Sequence, residues 1–171
     1  MEKLYSNIVG MPVFLDEGRQ AVNTVKDIVM NSETGKLLAF VVNKRKGLII
    51  MERDVLQWGD VLHIHGHEDV VEAEDIVKVK NVLERGVRIF GNKVETKDGR
   101  EIGMVVDMAV DNKSFSLKKI FVAKRVLGLL QYDQRIIPAG KIVEVLEDKV
   151  VVESDVEVLK DEASAAEMAA A

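Results

Sequence analysis

The chain contains no cysteine, which excludes disulfides, thiolate nucleophiles and thiolate metal sites. A reducing compartment suits such a chain, and the expected location is the cytoplasm. Apolar runs such as residues 37–42 and 126–130 are far too short to span a bilayer, so no transmembrane segment is expected. The start, Met1-Glu2-Lys3-Leu4-Tyr5, leads into no apolar stretch of the kind a signal peptide needs. Excess positive charge is missing as well. Residues 1–86 carry 11 basic and 14 acidic side chains and residues 87–171 carry 13 and 15, so neither half has the field of a general nucleic-acid binder. No serine lies in GxSxG, and neither a P-loop nor a dinucleotide glycine fingerprint occurs. The expectation is a protein that is not an enzyme and that needs no cofactor.

What the chain does have is a repeat. Residues 10–64 and 91–152 share one order of glycines, turns and apolar segments. Gly10 and Val13 match Gly91 and Val94, and Asp16-Glu17-Gly18-Arg19 answers Lys97-Asp98-Gly99-Arg100. After one residue is lost the offset becomes 80. Val25 then aligns with Val105, Asp27 with Asp107, Asn31 with Asp111 and Leu37 with Leu117. A longer second loop moves Ile49-Ile50 onto Ile136-Ile137. A period near 80 residues is too long for a solenoid unit, so each copy reads as a domain.

Within each copy, short apolar segments alternate with turn chemistry. Asp98-Gly99 signals a tight turn, because glycine accepts positive φ. Along residues 102–110, simple alternation puts Ile102, Met104, Val106, Met108 and Val110 on one face. Residues 37–42 read as a central strand, and Pro138 suits a strand rim. Between the copies, Ile76, Val79, Lys80 and Leu83 recur at helical spacing with Gly86 as a stop. The expected fold is all-β, with a first domain over 1–67, a helical linker over 68–86, a second domain over 87–160 and a disordered Ala-rich tail over 161–171.

The segments Val22-Asn23-Thr24-Val25-Lys26-Asp27 and Asp98-Gly99-Arg100-Glu101-Ile102-Gly103-Met104-Val105-Val106-Asp107 resemble the signature of the PRC-barrel family. That family includes the cytoplasmic domain of the photosynthetic reaction-centre H subunit and a domain of a ribosome maturation factor. The resemblance implies two tandem small barrels of strongly bent antiparallel strands, and a role in assembly and protein contact. Asn23 stands where the motif has glycine, and Lys113-Ser114-Phe115-Ser116 lacks the Thr-Gly turn of the first copy, so wider or differently twisted turns are expected there.

Four sets of residues are candidates for function. Lys44, Arg45 and Lys46 and the matching Lys124 and Arg125 form basic loops that can meet a partner or phosphates, against the plainer reading of solvated loops. Leu129, Leu130 and Tyr132 lie in the longer second loop and are candidates for apolar partner contact. His63, His65 and His67 can be metal ligands if they share a face, although Gly66 interrupts the strand. Asp27 and Asp107 belong to separate copies and read as structural acceptors rather than an acid–base pair. Trp58, the only tryptophan, is placed at a barrel cap or a domain interface. The leading functional expectation is an adaptor or assembly module that binds a protein partner, with homo-oligomerisation open. An RNA- or ribosome-associated factor using the basic loops is the alternative, and a metal or small-ligand binder using the histidines is another.

Overall fold

Period-two apolar segments broken by Gly, Asn and Asp fold as strands and tight turns, and the fold is all-β. The computed structural model describes residues 1–16, 18–126, 129–130, 134–156 and 159–160. The chain opens with β1 (Glu2–Leu4) and a single helical turn, α1 (Tyr5–Ile8). Next come β2 (Pro12–Leu15), β3 (Ala21–Thr24), β4 (Asp27–Asn31), β5 (Lys36–Asn43), β6 (Leu48–Met51), β7 (Val55–Trp58) and β8 (Leu62–Ile64). After β9 (Val70–Glu72) and α2 (Val77–Arg85) follow β10 (Lys93–Thr96), β11 (Glu101–Asp111), β12 (Ser116–Ala123), β13 (Arg125–Val126) and β14 (Leu129–Leu130). The described chain closes with β15 (Arg135–Pro138), β16 (Ile142–Val145), β17 (Lys149–Val152) and β18 (Leu159–Lys160). Among the described residues, neither helix is long and apolar enough to cross a membrane.

The two halves repeat the same pairings. β2 joins β3 antiparallel and β8 parallel, as β10 joins β11 and β17. Strands β7 and β8 pair as β16 and β17 do, β4 and β5 as β11 and β12, and β5 and β6 as β12 and β15. Registers agree as well: Asp27 lies opposite Val41 and Asp107 opposite Phe121, while Phe40 faces Ile50 and Ile120 faces Ile137. In the first half the segment after β2 passes from the sheet of β2, β3, β7 and β8 into the larger sheet, whereas its counterpart β11 pairs with β10 and β12 within the larger sheet alone. At the same place in each half, Gly10 N–H donates to the Val25 carbonyl at 2.8 Å and Gly91 N–H to the Val105 carbonyl at 3.0 Å. Both valines are buried, which anchors the contact. In the first half this segment is interrupted into β3 and β4, whereas in the second it runs through as β11.

Bulges change which residues reach the core. On β11 the register shifts between Val105 and Asp107, so Val106 is the extra residue and the side-chain alternation changes phase there. A separate shift opposite β10 leaves Ile102 unpaired, and with both shifts Ile102, Val105, Met108 and Val110 are core residues, while Met104 and Val106 are only half-buried. This corrects the uniform alternation expected from the sequence.

The halves share one core. A single cluster of buried side chains includes Val13, Phe40, Trp58 and Leu62 from the first half and Val94, Ile120, Ile137 and Val150 from the second. Each fully buried aliphatic contributes roughly 1.5–3 kcal/mol. A second cluster joins Val29, Leu38, Ala39, Ile49 and Met51 to Ala73 and to Val79 of α2. Helix α2 thus packs on the sheet, and Gly86 ends it with φ 66°, a left-handed C-terminal stop that suits glycine. The stretch read as wholly linker also contributes a strand, since β9 pairs with the edge of β6.

Three contacts tie the halves together. Strand β1, although N-terminal, pairs with β11, setting Glu2 opposite Asp111 and Leu4 opposite Ala109. The hairpin tips meet as Leu37 N–H donates to the Phe115 carbonyl and Leu117 N–H to the Gly35 carbonyl, both at 2.8 Å. Trp58, 5% exposed, packs edge-on against Phe40 at 4.9 Å and tilted against Phe115 at 5.3 Å between ring centres. Its carbonyl accepts a hydrogen bond from Asn112 Nδ2 at 2.7 Å. The tryptophan lies between the halves, as expected for an interface.

The second hairpin turn does not widen. Phe115 N–H donates to the Asp111 carbonyl as Gly35 N–H does to the Asn31 carbonyl, and the side chains of Asn31 and Asp111 cap the two turns alike. Phe115 therefore takes the left-handed conformation of Gly35, at φ 49° against 65°. For a non-glycine residue that costs roughly 1–2 kcal/mol. Packing of its ring on Trp58 offsets the cost, since an aromatic pair contributes about 0.5–1.5 kcal/mol beyond area burial. The Asp111 carboxyl is held below the usual range, first by the Ser114 N–H and then by the N-terminal ammonium 3.0 Å away.

Candidate functional site

The repeated aspartates are both gripped by α1. Tyr5 donates its hydroxyl to Asp27 Oδ1 at 2.9 Å. The next residue, Ser6, donates its N–H to Asp107 Oδ1 at 3.2 Å and its hydroxyl to Asp107 Oδ2 at 2.6 Å. Each aspartate also accepts the N–H of the residue after it, Ile28 or Met108. The aspartates are acceptors, and their donors lie on α1, in the strands and, for Asp27, also in the turn after β5. No spacing in the sequence links Tyr5 or Ser6 to them, because they are 22 and 101 residues distant.

Lys44 completes the first of these clusters. Its Nζ lies 2.7 Å from Asp27 Oδ2, so both carboxylate oxygens are engaged. Burial pushes the Asp27 carboxyl up, but Lys44, the Ile28 N–H and Tyr5 outweigh it and hold the group below its ordinary range. Burial and then the bond to Asp27 push the Tyr5 hydroxyl up to about 12. The folded state thus favours the protonated phenol. Its stabilisation is complete below the unfolded value of about 10 and is lost as pH rises to about 12. The chain has two tyrosines, so a Tyr132→Phe variant isolates Tyr5. Its near-ultraviolet phenolate signal is expected to develop near pH 12, and Asp27→Asn is expected to lower that midpoint. A midpoint near 10 in the folded Tyr132→Phe protein contradicts the assignment.

Beside this cluster lies a cavity of about 300 Å³ between β4, β5 and the segment from α2 to Phe90. Val29, Val41 and Ile49 form its sheet side, and Val82, Leu83 and Phe90 form its outer side. Tyr5, Asp27, Lys44 and Arg88 supply the polar part. Leu83 and Phe90 are 48% and 41% exposed, and the Phe90 ring stacks on Tyr5 at 4.5 Å. Sequence reasoning missed this site because its walls come from separate strands, a helix and the segment after it.

The basic loops are not equivalent. Lys44, Arg45 and Lys46 are all exposed, and of the three Lys44 turns its ammonium back to Asp27. In the second half Lys124 is exposed, and Asp107 takes Ser6 where Asp27 takes a lysine. Arg125 begins β13, a two-residue strand that pairs with Leu129 and Leu130 of β14. Tyr132 lies outside the described residues, as does the tail over 161–171.

The three histidines do not converge. His63 sits in β8 opposite Phe14 and Gln57, with its ring 5.9 Å from that of Phe14. The backbone N–H groups of His65 and Gly66 donate to Asp69 Oδ2, so this segment is a turn closed by aspartate. Among the described residues no group of three His, Asp or Glu side chains can hold a metal ion. The shared face that metal ligation requires is not formed, because the strand ends at Ile64, even before the interruption expected at Gly66.

One surface feature does repeat. On β7 the register shifts between Val55 and Gln57, and on β16 between Ile142 and Glu144. The extra residues, Leu56 and Val143, are 40% and 42% exposed. Both strands end their described sheet paths. A bulge blunts an edge against open-ended strand pairing and re-aims a side chain. Here it turns one aliphatic side chain outward at the same place in each half.

Residues 1–81 match the family model of the PRC-barrel domain. The N-terminal half is similar to a PRC-barrel domain. The matched span runs from β1 into α2, so β9 and the start of the helix lie within it. The matched span includes Tyr5, Asp27, Lys44 and Leu56, while the second unit, with its repeated pairings, lies beyond the match. No curated protein matches the chain.

Proposed function

We propose that the protein is a non-enzymatic cytoplasmic adaptor, built of two tandem PRC-like barrels, that binds a protein partner through equivalent points on the two units. The observation that carries this reading is the pair of outward aliphatics, Leu56 and Val143, on matching bulges of matching edge strands. An exposed aliphatic on its own needs no explanation, but the same one presented twice on a repeated scaffold fits two-point contact. The PRC-barrel match supports assembly work in general. The two aspartates support it too, because both carboxylate oxygens of Asp27 and of Asp107 already accept donors within the fold. The basic-loop alternative is weakened by the engagement of Lys44 with Asp27.

A double variant, Leu56→Asp with Val143→Asp, tests the reading. Its melting temperature is expected to stay close to that of the parent, since exposed positions change stability little. Proteins captured by the parent from its native host are expected to be lost. Undiminished capture by the folded variant contradicts the proposal. Retained binding to RNA that weakens steeply with salt favours the alternative.

A further inference from the structure

We propose that the cavity beside Asp27, Lys44 and Arg88 is a binding site for a small amphipathic carboxylate, with the acid group at the two cations and the apolar part between β4–β5 and α2. This goes beyond the adaptor reading and does not depend on it.

The walls decide the apolar part. Val29, Val41, Ile49, Val82 and Leu83 line a space of about 300 Å³, at the small end of the usual range for ligand sites. At about 30 Å³ for each displaced water, the space suits an acid of roughly ten heavy atoms.

The polar end is decided by what its groups still have to offer. Asp27 has both oxygens engaged, by Tyr5 and the Ile28 N–H on one side and by Lys44 on the other. It has little capacity left to accept a donor from a ligand. Lys44 has one acceptor and three N–H donors. Arg88 lines the cavity close enough to act electrostatically on Tyr5. Among the described residues its guanidinium has no hydrogen-bond or ion-pair partner. Asp107 also acts electrostatically on Tyr5 but does not line the cavity, and among the charged residues that do, Asp27 balances Lys44 and leaves the charge of Arg88 over. Unspent donors with a surplus positive charge select an anionic acceptor, and a guanidinium fits a carboxylate in bidentate fashion.

Isothermal titration calorimetry with octanoate tests the site, with octanol and octylammonium as matched probes. Octanoate is expected to bind at one site per chain, at least tenfold more tightly than octanol, and octylammonium is expected not to bind. Arg88→Ala changes an exposed side chain and is expected to weaken octanoate at least tenfold without lowering the melting temperature. Val87→Trp, which fills the space from the segment after α2, is expected to abolish binding. Absence of octanoate binding at millimolar concentration overturns the proposal. So does equal binding of the three probes, or octanoate affinity unchanged by Arg88→Ala.

Discussion

Replacing Trp58 by alanine is expected to cost about 3–5 kcal/mol, as large aromatic truncations in a core do. The indole is 95% covered and lies against Phe40 and Phe115. Its N–H has no acceptor among the described residues, so packing rather than hydrogen bonding secures the ring. The loss is expected to spread across the junction. Phe115 holds a left-handed backbone that its contact with Trp58 offsets, and without that contact the second hairpin tip loses its compensation. Hydrogen exchange of the Leu37 and Leu117 amides, which bond across the two tips, is expected to accelerate beyond the average for the chain. A variant with exchange raised evenly everywhere would show that Trp58 belongs to the common core without linking the halves.

Gly103→Ala is expected to destabilise the protein by about 2–4 kcal/mol, combining backbone strain with overpacking. An added Cβ would lie 2.5 Å from the Ala123 carbonyl oxygen, a backbone atom that cannot swing aside, and the residue has φ 155°. Asn23→Ala, at the equivalent place in the first half, is expected to cost less than about 1 kcal/mol. There the strand is interrupted between β3 and β4, and a side chain is already accommodated. Denaturant unfolding of the two variants compares them directly. Equal losses would mean that the two places are built alike despite the different residues.

The repeat made much of the architecture legible. Matches such as Val25 with Val105 and Asp27 with Asp107 reappear as equal registers and as equivalent hydrogen bonds from Gly10 and Gly91 in the structure. Other features were hidden for specific physical reasons. A bulge at Val106 shifts the side-chain phase without any mark in the residue types. A turn without glycine keeps its shape because the Trp58 ring, from β7 of the other half, packs on Phe115. The pairing of β1 with β11 arises from contacts more than a hundred residues apart. The same holds for the candidate site. Lys44 and Asp27 were visible as individual charged residues. Their ion pair, the Tyr5 hydroxyl and the cavity beside them exist only once β4, β5, α1 and α2 have assembled.

Two-point protein contact through Leu56 and Val143 is the central claim. Its most direct test is the affinity of the identified partner for the parent, for Leu56→Asp, for Val143→Asp and for the double variant, measured by surface plasmon resonance. Each single change is expected to weaken binding at least tenfold, with the double change leaving no measurable binding. Single variants that bind like the parent, in proteins of unchanged melting temperature, would contradict the claim.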